Sequence, residues 1–193
     1  MIWSDRFIWL HVPKSAGWET AAAIRSLGAF QTSEHDHWHD TIAERREREP
    51  GFQVAGRPIV ANIRRLPSWL LSRVHYEAAR SNIVPTRRML VNGEFYRADG
   101  SIRNADWIIE RYDRPHVDRW IRAERLVDDF STAFRDLVDL PGDLSARFGG
   151  LNQAATPYVR DIGFWFTARD FARLYAANPR WAALEERLYG SLA

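Results

Sequence analysis

Residues Phe7 to Ile24 read FIWLHVPKSAGWETAAAI, and this stretch decides the fold. Its first part is a short, nearly continuous apolar run that ends at Pro13, which predicts a buried parallel strand over residues 6–12. Its last part supplies alanines and an apolar stripe, which predict a helix that stops at Gly28. A strand, a turn of small residues and a helix therefore follow one another, as in an α/β domain.

Lys14 lies in the turn between this strand and helix, and it is the only lysine among the 27 basic residues. The backbone N–H groups that open a helix lack intrahelical acceptors and carry the positive end of the helix dipole. A phosphate or sulfate is a natural occupant of such a position, and a lysine adds a compact positive charge. The turn therefore predicts anion binding. The alternative is an ordinary strand-to-helix turn with a solvated lysine.

The order of residues in this turn differs from that of a nucleotide-triphosphate loop, GxxxxGK[ST], because Lys14 comes early and Gly17 follows it. An apolar strand followed by Pro-Lys-Ser-x-Gly resembles the 5′-phosphosulfate loop of sulfotransferases that use 3′-phosphoadenosine 5′-phosphosulfate (PAPS), especially the carbohydrate-type branch. The chain departs from that family directly after the glycine, where hydroxyl residues are usual and Trp18 and Glu19 stand here. The resemblance implies that the donor is bound by Pro13, Lys14, Ser15, Ala16, Gly17, Trp18 and Thr20.

A second segment, PIVANIRRLPSWLLSRVHY at 58–76, predicts another apolar strand and a helix that starts near Pro67. It resembles the 3′-phosphate element of the same family, in which an arginine ends the strand and a serine follows on the helix. Arg64 and Ser72 have that spacing, and Arg65 is the alternative if the register shifts by one. An arginine can donate two charge-assisted hydrogen bonds to one phosphate. Otherwise Arg64 caps a strand and Ser72 is a surface helix residue.

Other segments fit the same architecture. Residues 117–138 predict a short strand that ends at Glu124 and an amphipathic helix whose apolar face belongs to the core. The charged segment 44–50 predicts the polar end of a helix that begins near Thr41. Between residues 86 and 103, the Asn92–Gly93 pair indicates a hairpin and Asp99–Gly100 a further turn, which together predict a β excursion from the main sheet.

Sulfuryl transfer also needs a group that accepts the proton of the incoming hydroxyl. The cluster EHDHWHD places His35, His37 and His39 between the two donor motifs. The resemblance implies a catalytic histidine in this interval, with His39 as the first candidate because Thr41 follows it closely, and His37 as the second. Glu19, beside the loop, is a further candidate base. The other interpretations of the cluster are a solvated surface loop and, third, a metal site, for which the chain has no cysteine.

Composition limits the remaining possibilities. A chain of 193 residues that is 46% hydrophobic can build one sizeable core, so a single domain over residues 1–193 is expected. The formal net charge of +2, with arginines dispersed among nearly as many acids, argues against nucleic acid as a partner. The absence of cysteine excludes a disulfide framework, and no apolar run reaches membrane-spanning length. We therefore expect a cytoplasmic protein without a membrane partner.

Together these patterns predict a three-layer α/β/α fold with a mainly parallel central sheet, of the P-loop NTPase-like sulfotransferase type, with ligands at the carboxyl ends of its strands. The family implies transfer of a sulfuryl group from PAPS, as co-substrate, to a small-molecule or carbohydrate hydroxyl without a metal. Past Gly150 the resemblance continues at Asn152 and implies Arg160 as a further basic contact to the nucleotide. The alternatives are a P-loop-type phosphotransferase and a non-catalytic homologue that binds a nucleotide or a partner. The sequence does not assign the acceptor or the oligomeric state.

Overall fold

The computed structural model describes residues 1–114, 116–148 and 156–193. Its internal contacts divide the chain into two compact units, Met1–Ile63 with Arg111–Gln153, and Arg64–Glu110 with Ala154–Ala193. The prediction of one domain over residues 1–193 stays a prediction, because a division by contacts does not show whether either unit folds alone. Within the described residues, no helix combines the length and apolar character needed to cross a membrane.

The described residues form strands that are interspersed with helices up to α6, and the last elements of the chain are helices. The strands are β1 (Ile2–Trp3), β2 (Ile8–Leu10), β3 (Gln31–Thr32), β4 (Ile59–Ile63), β5 (Glu94–Tyr96), β6 (Ile102–Asn104) and β7 (Arg119–Arg122). The helices are α1 (Gly17–Ser26), α2 (Ile42–Arg48), α3 (Leu66–Ser81), α4 (Arg87–Asn92), α5 (Asp106–Tyr112), α6 (Leu126–Phe134), α7 (Ile162–Trp165), α8 (Ala168–Ala177) and α9 (Pro179–Tyr189). Short 3₁₀ turns occupy His35–His37, Ala123–Arg125 and Ser145–Phe148.

The first unit contains a five-stranded sheet in the order β3-β1-β2-β4-β7. Strand β4 pairs in parallel with β2 on one side and with β7 on the other. Strand β1 pairs antiparallel with both β2 and β3, so the sheet is mixed and only its β2-β4-β7 part is parallel. The prediction of an α/β fold is therefore confirmed, whereas the sheet is less parallel than expected. Because β2 and β4 are parallel neighbours, their carboxyl ends meet at one edge of the sheet.

One face of this sheet is covered by α1 and α6. Trp9 of β2 is in register with Val60 of β4, and both belong to the same buried cluster as residues of α1 and α6. Phe134 of α6 packs edge-on against Phe7, with 5.1 Å between ring centroids. Burial of these rings on one face fixes where α1 lies on the sheet, and hence where its first turn and the loop after β2 are placed.

The second unit has its own aromatic core and a hairpin. Strands β5 and β6 pair antiparallel across the turn that contains Gly100, as the Asp99–Gly100 pair predicts, but they form a separate two-stranded sheet. The hairpin predicted at Asn92–Gly93 is wrong. Gly93 instead adopts a left-handed conformation as the C-cap of α4. An Asn-Gly pair occurs both in hairpin turns and at helix C-caps, because each of these needs a residue with positive φ.

Trp69 of α3 is the centre of the second unit's core, because it is fully buried and contacts the rings of Trp181 and Phe95 at 4.6 and 5.3 Å. We expect Trp69→Ala to lower the free energy of unfolding by about 3–5 kcal/mol, through lost burial and an unfilled cavity. The measurement is urea denaturation followed by circular dichroism. The control is Val84→Ala, because Val84 is 81% exposed and its truncation should change stability by less than about 0.5 kcal/mol. Equal effects of the two substitutions would contradict this description of the core.

Candidate functional site

The loop between β2 and α1 has an unusual backbone. Lys14 and Ala16 both have positive φ, 64° and 60°, although neither is glycine. Such a conformation costs an L-residue roughly 1–2 kcal/mol, so the surrounding structure must enforce it. Ala16 is the N-cap of α1, and no side chain caps this helix. A left-handed residue followed by a helical one turns successive N–H groups toward a common concavity, which is the backbone arrangement of anion-binding nests.

Ser15 lies between these two left-handed residues. Its side chain is fully buried, and within the described part of the chain its hydroxyl has no hydrogen-bond partner. A buried hydroxyl without a partner costs free energy, roughly 1–3 kcal/mol. The loop therefore holds a polar group whose hydrogen bond is supplied by none of the described residues, at the position where the sequence predicts a phosphosulfate.

His11 explains why residue 17 is glycine. The imidazole of His11 packs so closely on Gly17 that a Cβ at position 17 would lie 1.9 Å from Cδ2 and 2.0 Å from Nε2. The ring is buried and stacks on Trp9, with 5.3 Å between centroids and 22° between planes. Burial lowers the pKa of His11 well below its usual value of 6.5, and the neighbouring His39 lowers it further. His11 is therefore a neutral ring that fixes the start of α1.

His39, the first candidate base, lies against this ring. The centroids of the His39 and His11 rings are 4.3 Å apart, and Nδ1 of His39 donates to the backbone oxygen of His11 at 2.8 Å. A carbonyl only accepts, so a neutral His39 carries its proton on Nδ1 and its lone pair on Nε2. The backbone oxygen of His39 accepts a hydrogen bond from the Tyr112 hydroxyl at 2.6 Å. The first bond orients the imidazole, with its acceptor nitrogen at Nε2 when the ring is neutral, and the second holds the backbone of the residue.

His37, the second candidate, has different neighbours. Its Nδ1 lies 3.9 Å from Asp40, a buried carboxylate that also accepts from Arg48 at 3.0 Å. Burial raises the pKa of Asp40, although Arg48 and His37 act in the opposite direction. In residues 1–114, 116–148 and 156–193, no group of three or more histidine, aspartate or glutamate side chains could hold a metal ion. Of the two histidines, His39 is the one in contact with His11 and, through it, with the loop.

The first turn of α1 presents two side chains outward. Trp18 is 50% exposed and lies 4.7 Å from the ring of Trp38, over which the guanidinium of Arg25 lies at 4.6 Å. Glu19 is partly exposed in the first turn, where a carboxylate interacts favourably with the helix dipole. Its charge would repel an anion held by the same turn. The positions of these two side chains do not test whether Trp18 contacts the donor or Glu19 acts as the base, so both stay predictions.

Thr20 points the other way. Its side chain is buried, and its hydroxyl donates to the backbone oxygen of Ala16 at 2.9 Å while accepting from the amide of Asn62 at 2.8 Å. The hydroxyl is therefore engaged inside the first unit, and a direct contact of Thr20 with the donor stays a prediction. Pro13 is buried at the start of the loop.

The segment predicted as the 3′-phosphate element is divided: its strand β4 belongs to the first unit, and the residues from Arg64 onward belong to the second. Arg65 pairs with the buried Glu185 at 3.0 Å and lies over the ring of Tyr189 at 4.4 Å. Arg64 precedes α3, with a half-buried side chain and a backbone oxygen that accepts from Trp181 at 3.2 Å. Because Arg65 is bound to Glu185, Arg64 is the better candidate of the two arginines for the predicted phosphate contact. Ser72 is half-buried on α3.

The remaining predicted contact, Arg160, is exposed in the segment before α7. Asn152 lies outside the described residues. The described contacts thus join Gly17 and His39 around His11 in the first unit, whereas Arg64 and Ser72 both belong to the second.

Sequence reasoning missed two residues of this site, His11 and Asn62. Both are polar side chains inside apolar strand segments, FIWLH and IVANI, which is the one signal that could have singled them out. Their partners lie far along the chain, so the pattern alone does not reveal what they bind.

No family model matches the chain, and searches of curated proteins and of solved structures found no match.

The close approach of His11 to Gly17 predicts that Gly17→Ala destabilises the protein. The added methyl overlaps the His11 ring, and overpacking of this kind costs about 1–3 kcal/mol in unfolding free energy. Urea denaturation measures the change. The control is Gly51→Ala, because a Cβ at Gly51 meets no atom within 4 Å. When His11 is also replaced by alanine, Gly17→Ala should lower the free energy of unfolding by less than it does in the wild type. An equal loss in both backgrounds would argue against this contact.

The neutral His11 also predicts a pH dependence of stability. The pKa is lowered in the folded protein and returns toward 6.5 on unfolding, so the unfolded chain binds the proton first as pH falls. The contribution of neutral His11 to the free energy of unfolding is complete above pH 6.5. Below pH 6.5 it is lost, at up to about 1.4 kcal/mol per pH unit. Unfolding free energies between pH 7.5 and 5 should therefore fall less steeply for His11→Leu than for the wild type. The control is Val84→Ala, which changes an exposed side chain that does not titrate and should keep the wild-type slope, and an unchanged slope in His11→Leu would refute the assignment.

Proposed function

We propose that this protein is a sulfotransferase that binds PAPS through the loop 13–17. It transfers the sulfuryl group of PAPS to a hydroxyl group of a small molecule or a carbohydrate. The observation that carries the proposal is the backbone of this loop, with Lys14 and Ala16 left-handed directly before the uncapped first turn of α1. Amides arranged in this way favour a sulfate or phosphate. The fold that accompanies the proposal is a three-layer, P-loop-like α/β/α domain, supported by the parallel β2-β4-β7 order.

The chemical step assigns a role to each group near the loop. An oxygen lone pair of the acceptor attacks sulfur, and the bond between sulfur and the bridging oxygen of the 5′-phosphate breaks, which leaves 3′-phosphoadenosine 5′-phosphate. Lys14 and the loop amides would stabilise the charge that develops on this leaving oxygen. The acceptor proton would pass to Nε2 of His39, whose Nδ1 proton is held by the carbonyl of His11. No metal is required for this step.

Donor recognition also requires a site for the ribose 3′-phosphate. Arg64 and Ser72 are the proposed ligands, because the neighbouring Arg65 is engaged by Glu185. An arginine can bind a phosphate with two parallel hydrogen bonds, which a lysine cannot. Arg160 is proposed as an additional basic contact.

Calorimetric titration with 3′-phosphoadenosine 5′-phosphate tests the proposal. We expect the wild type to bind, and Lys14→Ala and Arg64→Ala each to weaken binding by at least about tenfold, because each removes a charged phosphate contact. Arg46→Ala, which removes an exposed arginine of α2, should bind as the wild type does. Release of the same product from PAPS in the presence of hydroxyl acceptors measures turnover, which Lys14→Ala should abolish.

Two outcomes would favour other functions. Stabilisation by ATP with magnesium, but not by 3′-phosphoadenosine 5′-phosphate, in thermal unfolding would indicate a phosphotransferase of the P-loop type. Donor binding without turnover on any acceptor would indicate a non-catalytic homologue. Tight binding of 3′-phosphoadenosine 5′-phosphate by Arg64→Ala would contradict the assignment of Arg64 to the 3′-phosphate, but not the proposed function as a whole.

A further inference from the structure

A chain of buried hydrogen bonds runs from the centre of the sheet to the loop. Nε1 of Trp9 donates to Oδ1 of Asn62 at 2.8 Å, and Nδ2 of Asn62 donates to Oγ1 of Thr20 at 2.8 Å. The Thr20 hydroxyl then donates to the backbone oxygen of Ala16 at 2.9 Å. The three side chains are buried, with relative exposures of 1%, 0% and 0%. Each donor therefore has one acceptor, and the chain ends on the left-handed residue of the loop.

Asn62 is a polar residue in the middle of the strand IVANI, whose other residues are apolar and buried. An apolar residue there would avoid the cost of burying an amide, but it would leave the buried N–H of Trp9 without its acceptor. The amide is tolerated because both of its ends are satisfied. Besides accepting from Trp9, the amide fixes the orientation of the Thr20 hydroxyl, since Nδ2 of Asn62 donates to Oγ1 and leaves the hydroxyl proton to Ala16.

The carbonyl of Ala16 belongs to the same peptide unit as the N–H of Gly17. In a trans peptide the C=O and N–H bonds point in opposite directions. The Ala16 oxygen accepts from both the backbone N–H of Thr20, at 3.1 Å, and the Thr20 hydroxyl, at 2.9 Å, so the Gly17 N–H points away from Thr20. The hydroxyl adds a second bond to the peptide that follows the left-handed Ala16, a conformation that an alanine otherwise avoids.

We propose that Asn62, acting through Thr20, is a positioning residue of the anion site. It holds the Ala16–Gly17 peptide so that the Gly17 N–H is presented to a sulfate or phosphate in the loop, without touching the anion itself. This inference rests on the proposed function and deepens it. It assigns the Thr20 hydroxyl to the loop backbone, in place of the hydroxyl contacts to the donor that the resemblance implies.

The test uses inorganic sulfate, followed by the amide signals of ¹⁵N-labelled protein, together with calorimetric titration of 3′-phosphoadenosine 5′-phosphate. In the wild type, sulfate should shift the Gly17 amide. Thr20→Val removes the hydroxyl at nearly constant volume and should weaken both ligands by at least about tenfold, while the amides in the second half of α1 keep their positions. Thr20→Ser retains the hydroxyl and should bind within about twofold of the wild type.

Three further variants separate positioning from general loss of structure. Asn62→Leu leaves the Thr20 hydroxyl in place and should weaken sulfate as Thr20→Val does, and the double variant should lose little more, because both act through one chain of bonds. Ser26→Ala removes a comparable hydroxyl-to-backbone bond, to Ala23 at 2.8 Å, from the other end of α1 and should not change binding.

The outcomes are distinct from those of the proposed function. Wild-type affinity for sulfate in folded Thr20→Val, or in folded Asn62→Leu, would overturn the positioning role and leave the function untouched. Sulfate binding by the wild type without any binding of 3′-phosphoadenosine 5′-phosphate would overturn the proposed donor, while the positioning role would still be measured with sulfate. Absence of binding of both ligands would overturn both proposals.

Discussion

The contact between the His11 imidazole and the backbone of Gly17 is the constraint on which the candidate site depends. The ring leaves no space for a side chain at residue 17, so the first turn of α1 lies directly against the end of β2. The same ring stacks on Trp9 in the sheet and lies beside His39 in the segment before α2. One neutral side chain thus fixes the distance between the loop and the candidate base. A charged ring could not do so, because its desolvation in this position would be unfavourable.

The sequence predicts the regular elements of the fold well where one pattern dominates. The strand at 59–63 and the helix that starts near Pro67 are observed as β4 and α3, and Thr41 begins α2 with a capping box. Strands β1 and β3 escaped prediction because each has only two residues and is defined by pairing with a distant partner. The Asn92–Gly93 signal was misassigned because a helix C-cap and a hairpin turn require the same left-handed residue.

The candidate site, like the fold, has a part that the sequence predicts and a part that it does not. Its local part, the loop 13–17 at a helix N-terminus, follows from sequence, since a strand, a turn and a helix are all short-range patterns. Its long-range part does not, because the partners of His11 and Asn62 are set by which strands become neighbours. Trp9 and Asn62 meet only because β2 and β4 are adjacent and parallel, with Trp9 opposite Val60. The choice between Arg64 and Arg65 likewise depends on Glu185, more than a hundred residues away along the chain.

The helical geometry of α1 gives a physical reason for the unusual residues after Gly17. Positions 18 and 20 are separated by about 200° around a helix, so when one faces solvent the other faces the sheet. Trp18 is half exposed and Thr20 is fully buried, in agreement with this separation. A hydroxyl at position 20 cannot face the same direction as hydroxyls directly after the glycine would. The buried threonine instead donates to the Ala16 carbonyl, and in the proposed site the anion would be bound by backbone amides and Lys14. Glu19 is compatible with such a site when its flexible side chain turns outward, away from the anion. When the loop holds no anion, the helix dipole attracts the Glu19 carboxylate.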